Sequence, residues 1–376
     1  MKIIIAPDSF KGALRSPGVC EALMAGWLSR RSQDEVLLFP LADGGEGTCD
    51  ALVKSTRGRT LLLEACDPLM RKVPVSCGIA GNGKTGIMEL AAASGIELLA
   101  KDELDPLKSS TYGSGEVMKA LLDAGCREFV MGIGGSATVD GGAGMLQALG
   151  CEFYNSRGEL LAPGAGGGAL KEIAKVSLEK LDSRIFESKI RVACDVTNPL
   201  LGSSGAAAVF GPQKGATPEM VDILEENLKH WAALWEGNPE LPGSGAAGGV
   251  GFMLRTVLKA EITSGADLVI KYTGAAEALA GADLLITGEG CSDSQTACGK
   301  LPAVIAEIAK KENVPAILCS GGLQGDISSL YEIFDGVFSI SHGAVSLEEA
   351  MEKTAENLRR FGANLAGIAN AFAKQP

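Results

Sequence analysis

The chain has 376 residues, 46% of them apolar, which suffices for two domains of ordinary size with buried cores. A net charge of −12 and a pI near 4.9 argue against nucleic acid or an anionic membrane surface as partner, so an anionic substrate must be met by local cations. Fifty glycines spread over short turns without a repeat exclude a fibrous chain and favour a loop-rich enzyme.

The opening apolar run Ile3–Ala6 is too short for a signal-peptide core and meets Asp8 at once, and no later run has the length of a membrane span. These features read as a cytoplasmic protein with no membrane partner. Ten cysteines without a C-x-x-C pair, and only two histidines, read as reduced core thiols in preference to zinc ligands or disulfides.

MKIIIAPDSFKGALRS is a strand ending in a polar loop, and Pro17 to Arg31 carries helical apolar spacing. Asp8, Ser9 and Lys11 thus stand at a strand's carboxyl end, where open α/β sheets bind ligands; a solvated loop lysine is the plainer reading of Lys11. EVLLFPLADGGEGT repeats the plan, with Asp43 and Glu46 flanking a Gly-Gly turn. Two such carboxylates suit a hydrated Mg²⁺, although Glu46 equally suits the first turn of the helix that follows.

Gly78 through Thr85 spells G-x-x-x-x-G-K-T, a literal nucleotide-binding loop pattern. Its flanks run extended, however, and Asn82-Gly83 is a two-residue hairpin signal, so a β-hairpin is expected. GIMELAAASGIELL then reads as a small-residue helix. Ser109, Ser110, Thr111 and Ser114 precede a helix expected from about Glu116, where their hydroxyls either cap it or bind phosphate.

In CREFVMGIGGSATVDGGAG an apolar strand breaks into Gly132, Gly134 and Gly135 and resumes after Gly141, Gly142 and Gly144. Glycine lets peptide N–H groups approach a ligand without a Cβ between, and Ser136, Thr138 and Asp140 add polar groups to the bare segment. The stretch is either a phosphate-binding turn or a tight strand-to-helix turn; it fits the dinucleotide fingerprint loosely, and Glu152 comes too early to hold a ribose.

KIRVACDVTNPL places Asp195 and Asn198 at a strand end, a recurrent position for a base or metal ligand. Lys214 lies in another glycine-rich turn, and His230, Trp231 and Trp235 read as packing on a helix. Regular alternation of strand and helix resumes near residue 270, where ADLLITGEGCSDSQTACGK ends a strand with Glu289, Asp293 and Gln295, and Lys300 follows. No Ser-His-Asp set and no Cys-His nucleophile is visible. Phosphoryl transfer fits this inventory, because it needs positioning, cations and metal-holding carboxylates more than a covalent nucleophile.

In order, the chain carries APDSFKGALRS, PLADGGEGT, DPLMRKV, TYGSGE, MGIGGSATVDGGAGMLQALG, DVTNPLLG, VFGPQKGA, GAAGGVG and DLLITGEGCSDSQT followed by GK. So ordered, it resembles the bacterial glycerate kinases that form 2-phosphoglycerate, over essentially its whole length. The resemblance implies ATP-dependent, Mg²⁺-assisted phosphorylation of D-glycerate in an interdomain cleft. It implies an α/β fold in which a Rossmann-like or flavodoxin-like parallel-sheet domain is built from both chain ends (1–65 and 270–376), with a second α/β domain inserted (66–269).

The same resemblance assigns Lys11 and Lys214 to phosphate charge, with Gly134, Gly135 and Ser136 at the phosphates. It assigns Arg71 to the glycerate carboxylate, Ser136, Asn198 and Gln295 to substrate, and Asp43, Glu46 and Glu289 to Mg²⁺. Asp195 or Asp293 is the acceptor base, with Lys11 beside them in catalysis. Cys291, Ser292, Cys298, Val139 and Met70 depart from the family pattern. A kinase of a related small hydroxy acid and a non-catalytic ligand sensor stay open as alternatives, as does a homo-oligomer.

Overall fold

The computed structural model of the chain describes residues 1–42 and 47–373. Among them are thirteen strands: β1 (Lys2–Ile5), β2 (Glu35–Leu38), β3 (Arg59–Cys66), β4 (Lys72–Ile79), β5 (Thr85–Glu89), β6 (Glu128–Gly132), β7 (Glu152–Tyr154), β8 (Lys175–Ser177), β9 (Lys189–Ala193), β10 (Glu261–Thr263), β11 (Leu284–Ser292), β12 (Ala316–Leu323) and β13 (Gly336–Ser339). The chain divides into two units.

The first unit comprises Met1–Asp43, Lys54–Thr56 and Ala266–Pro376. Its sheet runs β13-β12-β11-β1-β2 with every pairing parallel. Numbered within the unit alone, the order is 2-1-3-4-5, the flavodoxin-like arrangement, whose ligand crevice opens where the strand order reverses. Ile3, Ile4 and Ile5 are all fully buried. A parallel strand covered on both faces has no solvent side to alternate toward, which is why β1 reads as an unbroken apolar run.

The core beside it joins Ile3, Ile5, Leu23, Trp27, Ile286 and Leu358. The helices Ser16–Leu28 and Thr354–Ala373 meet through glycine: a Cβ on Gly26 would lie 2.0 Å from the Arg359 carbonyl oxygen, and one on Gly362 would lie 2.5 Å from that of Leu23. Gly26→Ala is therefore expected to push the helices apart and cost about 1–3 kcal/mol by overpacking. Urea unfolding reads this as a lower midpoint; an unchanged midpoint would show that the crossing yields.

The second unit comprises Gly44–Val53 and Arg57–Gly265. Its six-stranded sheet runs β10-β9-β6-β5-β4-β3, with β5, β6, β9 and β10 parallel and β4 and β3 antiparallel to their neighbours; β7 and β8 form a separate hairpin. Phe129, Met131, Leu121, Trp231 and Phe252 lie in its buried core. The Trp231 indole stands edge-on to Phe153 at 5.5 Å and donates its N–H to the Gly141 carbonyl, tying the glycine loop to the core.

Residues 78–85 form a hairpin. Gly78 pairs with Ile87 and Ile79 with Gly86 across β4 and β5, and the Ala80 N–H donates to the Thr85 carbonyl. The loop is longer than the two residues expected: the Asn82 Oδ1 accepts the Lys84 and Thr85 N–H groups, and Gly83 sits at φ 69°. No helix opens at Lys84, because Thr85–Glu89 is strand.

Four details depart from the sequence reading. β3 pairs along its length with β4 and so belongs with the second unit, which takes Gly44–Val53 and Arg57–Gly265 instead of 66–269, and the first unit resumes at Ala266 instead of 270. GIMELAAASGIELL holds the end of a strand and a short helix, Ala91–Ser94, because β5 pairs with β6 through Glu89. The next helix starts at Tyr112 instead of Glu116. The hydroxyls of Ser109, Thr111 and Ser114 are fully buried and bonded within the fold, to the Asp105 carbonyl, to Asp140 and to Ser94, which accounts for them without a phosphate.

Candidate functional site

In the first unit the order reversal falls between β1 and β11. The two strands stay joined past the end of β1: the Ala6 and Asp8 N–H groups donate to the Ile286 and Gly288 carbonyls, and the Thr287 hydroxyl donates to the Ala6 carbonyl. A Cβ on Gly290 would lie 3.2 Å from the Lys11 nitrogen and 3.3 Å from the Phe10 Cα, so the glycines around Glu289 let the loop after β1 lie against β11. Asp8 and Glu289 are therefore brought to one crevice, both buried, while Lys11 is exposed beside them.

Glu289 is held on one side. Its Oε1 accepts the Thr296 hydroxyl at 2.6 Å and the Ser292 hydroxyl at 2.8 Å, while Oε2 lies 3.8 Å from the Lys300 ammonium. The same ammonium lies 3.5 Å from Asp293 Oδ1, which also accepts the Gln295 N–H; the Gln295 side chain is exposed. The result is an array of oxygens with one cation across two carboxylates.

In the second unit the parallel strands present their carboxyl ends on one edge, and the turn of the β3–β4 hairpin lies on that edge too, because β4 runs against β5. Gly134 and Gly135 follow β6 and are exposed, whereas Ser136, Thr138 and Asp140 beneath them are buried. Lys214 is only 2% exposed; its ammonium donates to Ser136 Oγ at 2.8 Å and to the Thr138 carbonyl at 2.7 Å. Burial pushes this amine down to about 7, against the pull of nearby Asp140.

Asp140 acts as a hub for the loop. Oδ2 accepts the Thr111 N–H and hydroxyl and the Gly144 N–H, and Oδ1 accepts the Gly142 N–H. Burial raises its pKa and these hydrogen bonds oppose the rise. Left-handed φ at Gly135, Gly141 and Gly142 lets the backbone turn back on this carboxylate. The helix beyond begins only at Ala143, so the exposed Gly134–Gly135 turn is not a helix N-terminus.

Asp195 follows β9, is exposed, and its Oδ1 accepts the Gly265 N–H; the Asn198 side chain donates to the Ser204 carbonyl and shapes the same loop. Arg71, in the β3–β4 turn, is held by Asp67 through Nε at 2.5 Å and by Glu103 through Nη1 at 2.5 Å. Asp43 and Glu46 lie outside the described residues.

The sequence reading missed Glu89, whose Oε1 accepts the Cys49 N–H at 2.7 Å where β5 ends, because a strand end had been read as helix. It also missed the fully buried Ser320, whose hydroxyl lies 2.5 Å from that of Ser292. Among the described residues, no group of three or more His, Cys, Asp or Glu is arranged to hold a metal by itself, and no helix is long and apolar enough to cross a membrane.

Residues 3–370 match the model of the glycerate kinase family. The chain is 45% identical to a glycerate kinase of Bacillus subtilis (strain 168), covering 97% of each chain, and 41% identical to a glycerate 2-kinase of Escherichia coli (strain K12), again over 97% of each. A crystal structure from Salmonella typhimurium LT2, assigned provisionally as glycerate kinase 2, superposes with a TM-score of 0.91 at 42% identity, covering 100% of this chain and 99% of that one. With its two α/β units and its carboxylate and glycine loops at strand ends, the chain belongs to the glycerate kinase family and is a kinase.

Proposed function

We propose that the protein transfers the γ-phosphoryl group of ATP to D-glycerate and forms 2-phosphoglycerate, with Mg²⁺ as cofactor, in the cytoplasm. The observation that carries the reading is Glu289: two hydroxyls secure one carboxylate oxygen, and the other faces a lysine at the flavodoxin-type crevice. Mg²⁺ takes oxygen ligands, typically one or two carboxylates with the rest from water and phosphate, and the carboxylate oxygens of Glu289 and Asp293 are donors of that kind. Glu289 would hold the ion; Asp43 and Glu46, the other carboxylates expected for Mg²⁺, lie outside the described residues. When bound, Mg²⁺ supplies charge neutralisation at the transferring phosphoryl group.

The protein's own groups do the rest. Lys11 and Lys300 bring positive charge to the crevice, and the exposed Gly134–Gly135 turn would offer backbone N–H donors to phosphate oxygens. Ser136, Asn198 and Gln295 orient the substrate. Lys214 is too deeply buried to meet a phosphate directly, so it supports the turn through Ser136 and the Thr138 carbonyl. Asp67 and Glu103 fix the Arg71 fork and leave part of its five-donor set for a substrate carboxylate.

Steady-state release of ADP from MgATP with D-glycerate tests the reading, and direct conversion of the product by enolase identifies 2-phosphoglycerate. ATP binding without turnover would point to a ligand sensor, and preference for another small hydroxy acid would move the substrate. The acceptor base is decided by Asp195→Asn and Asp293→Asn. The variant that removes the base is expected to lose kcat with little change in KM, by about 10²- to 10⁴-fold. Near-wild-type kcat in both variants would exclude both residues.

A further inference from the structure

Glu289 and Ser320 stand opposite each other on β11 and β12, and the buried hydroxyl of Ser292 joins them. A carboxylate only accepts, so Ser292 donates its single proton to Glu289 Oε1, and the 2.5 Å contact must then run from Ser320 to Ser292. Thr296 closes the other side: it donates to the same Oε1 and accepts the Asp293 N–H at 3.1 Å. Ser292, Thr296 and Ser320 are all fully buried, so no water competes for these bonds. From these contacts we infer that Ser320 and Ser292 form a hydroxyl relay that positions Glu289, saturating Oε1 and directing Oε2 outward to the divalent cation.

The relay rests on the Mg²⁺ role proposed above for Glu289. Its members touch neither substrate nor metal and are positioning residues. Hydrogen bonds in series polarise one another, so Ser320 strengthens the Ser292 donation as well as aligning it. Partners of this kind around a metal-ligating carboxylate govern affinity for the ion more than the fold.

The test measures Mn²⁺ binding by the electron paramagnetic resonance of free Mn²⁺ in the presence of ADP, alongside the Mg²⁺ dependence of kcat. Ser292→Ala is expected to weaken Mn²⁺ binding about 10- to 100-fold. Ser320→Ala should shift it in the same direction by less, with KM for D-glycerate unchanged, and Ser320→Thr should restore much of the loss. Thr273→Val removes a buried hydroxyl that donates to the Ile270 carbonyl within a helix of the same unit, and it serves as the stability control. If Ser292→Ala stays folded with wild-type Mn²⁺ affinity, or if Thr273→Val weakens binding equally, the relay is overturned. Glu289→Gln separates the two claims: loss of Mn²⁺ binding there but not in Ser292→Ala ends the relay alone, and retention in both ends the metal role with it.

Discussion

Glu289→Gln is expected to lower kcat by at least ~100-fold, since charge stabilisation by a bound metal is worth several kcal/mol and each 1.36 kcal/mol is tenfold in rate. The amide is nearly isosteric with the carboxylate. Its oxygen still accepts from Ser292 and Thr296, so the fold around β11 should hold. What changes is the other position, where an NH₂ donor replaces Oε2 beside the Lys300 ammonium. The metal loses a charged oxygen, and two donors now face each other. The Mg²⁺ concentration for half-maximal rate should rise while KM for D-glycerate moves little, with thermal unfolding close to wild type. A kcat near wild type at ordinary Mg²⁺ would remove Glu289 from the metal and take the central support of the proposed mechanism with it.

What could be read in the sequence follows from how locally each feature is determined. β1 was visible because burial on both faces leaves an unbroken apolar run, and the decoy nucleotide loop was recognisable because Asn82-Gly83 carries its own turn chemistry. Glu289, Asp293, Asp195 and Ser136 stood out as polar groups at the ends of apolar strands. Partners drawn from distant segments were hidden. That β1 lies beside β11 depends on pairing across most of the chain, and nothing near Ile3 announces Leu284.

Side-chain partnerships were hidden for the same reason. Thr111 looked like a helix cap or a phosphate ligand, but its hydroxyl donates to Asp140 from a loop 29 residues away. Lys214 read as a cation in a glycine-rich turn, and only the fold shows it buried against Ser136. Ser320 is one small hydroxyl among many until β12 sets it against β11. Glu89 was concealed by a small-residue stretch that mimics a helix, and its strand pairing with β6 overrode that local preference.

Lys214→Met should change both stability and rate, and the sign of the stability change depends on pH. In the folded protein burial holds the Lys214 amine at about 7, whereas an unburied lysine titrates near 10.5. Between those values the unfolded chain binds a proton that the folded chain does not, so this group makes stability rise with pH across the window. Below about 7 the full penalty of a buried charge applies, of the order of a few kcal/mol, since each pKa unit is worth about 1.4 kcal/mol. Methionine fills similar space without a charge, so the variant should be more stable than wild type near pH 6. Against this, it leaves the Thr138 carbonyl without its donor, at a cost of about 1–3 kcal/mol. The advantage should therefore shrink and reverse by about pH 9–10, as the wild-type penalty disappears with the lysine of the unfolded chain losing its proton. Urea midpoints at pH 6, 7.5 and 9 trace the crossing, and parallel curves for the two proteins would show that Lys214 titrates normally. Turnover should fall at every pH, because Ser136 loses the Lys214 nitrogen, charged or neutral, that donates to its hydroxyl under the Gly134–Gly135 turn. Retained kcat in a stable Lys214→Met protein would place phosphate recognition away from this turn.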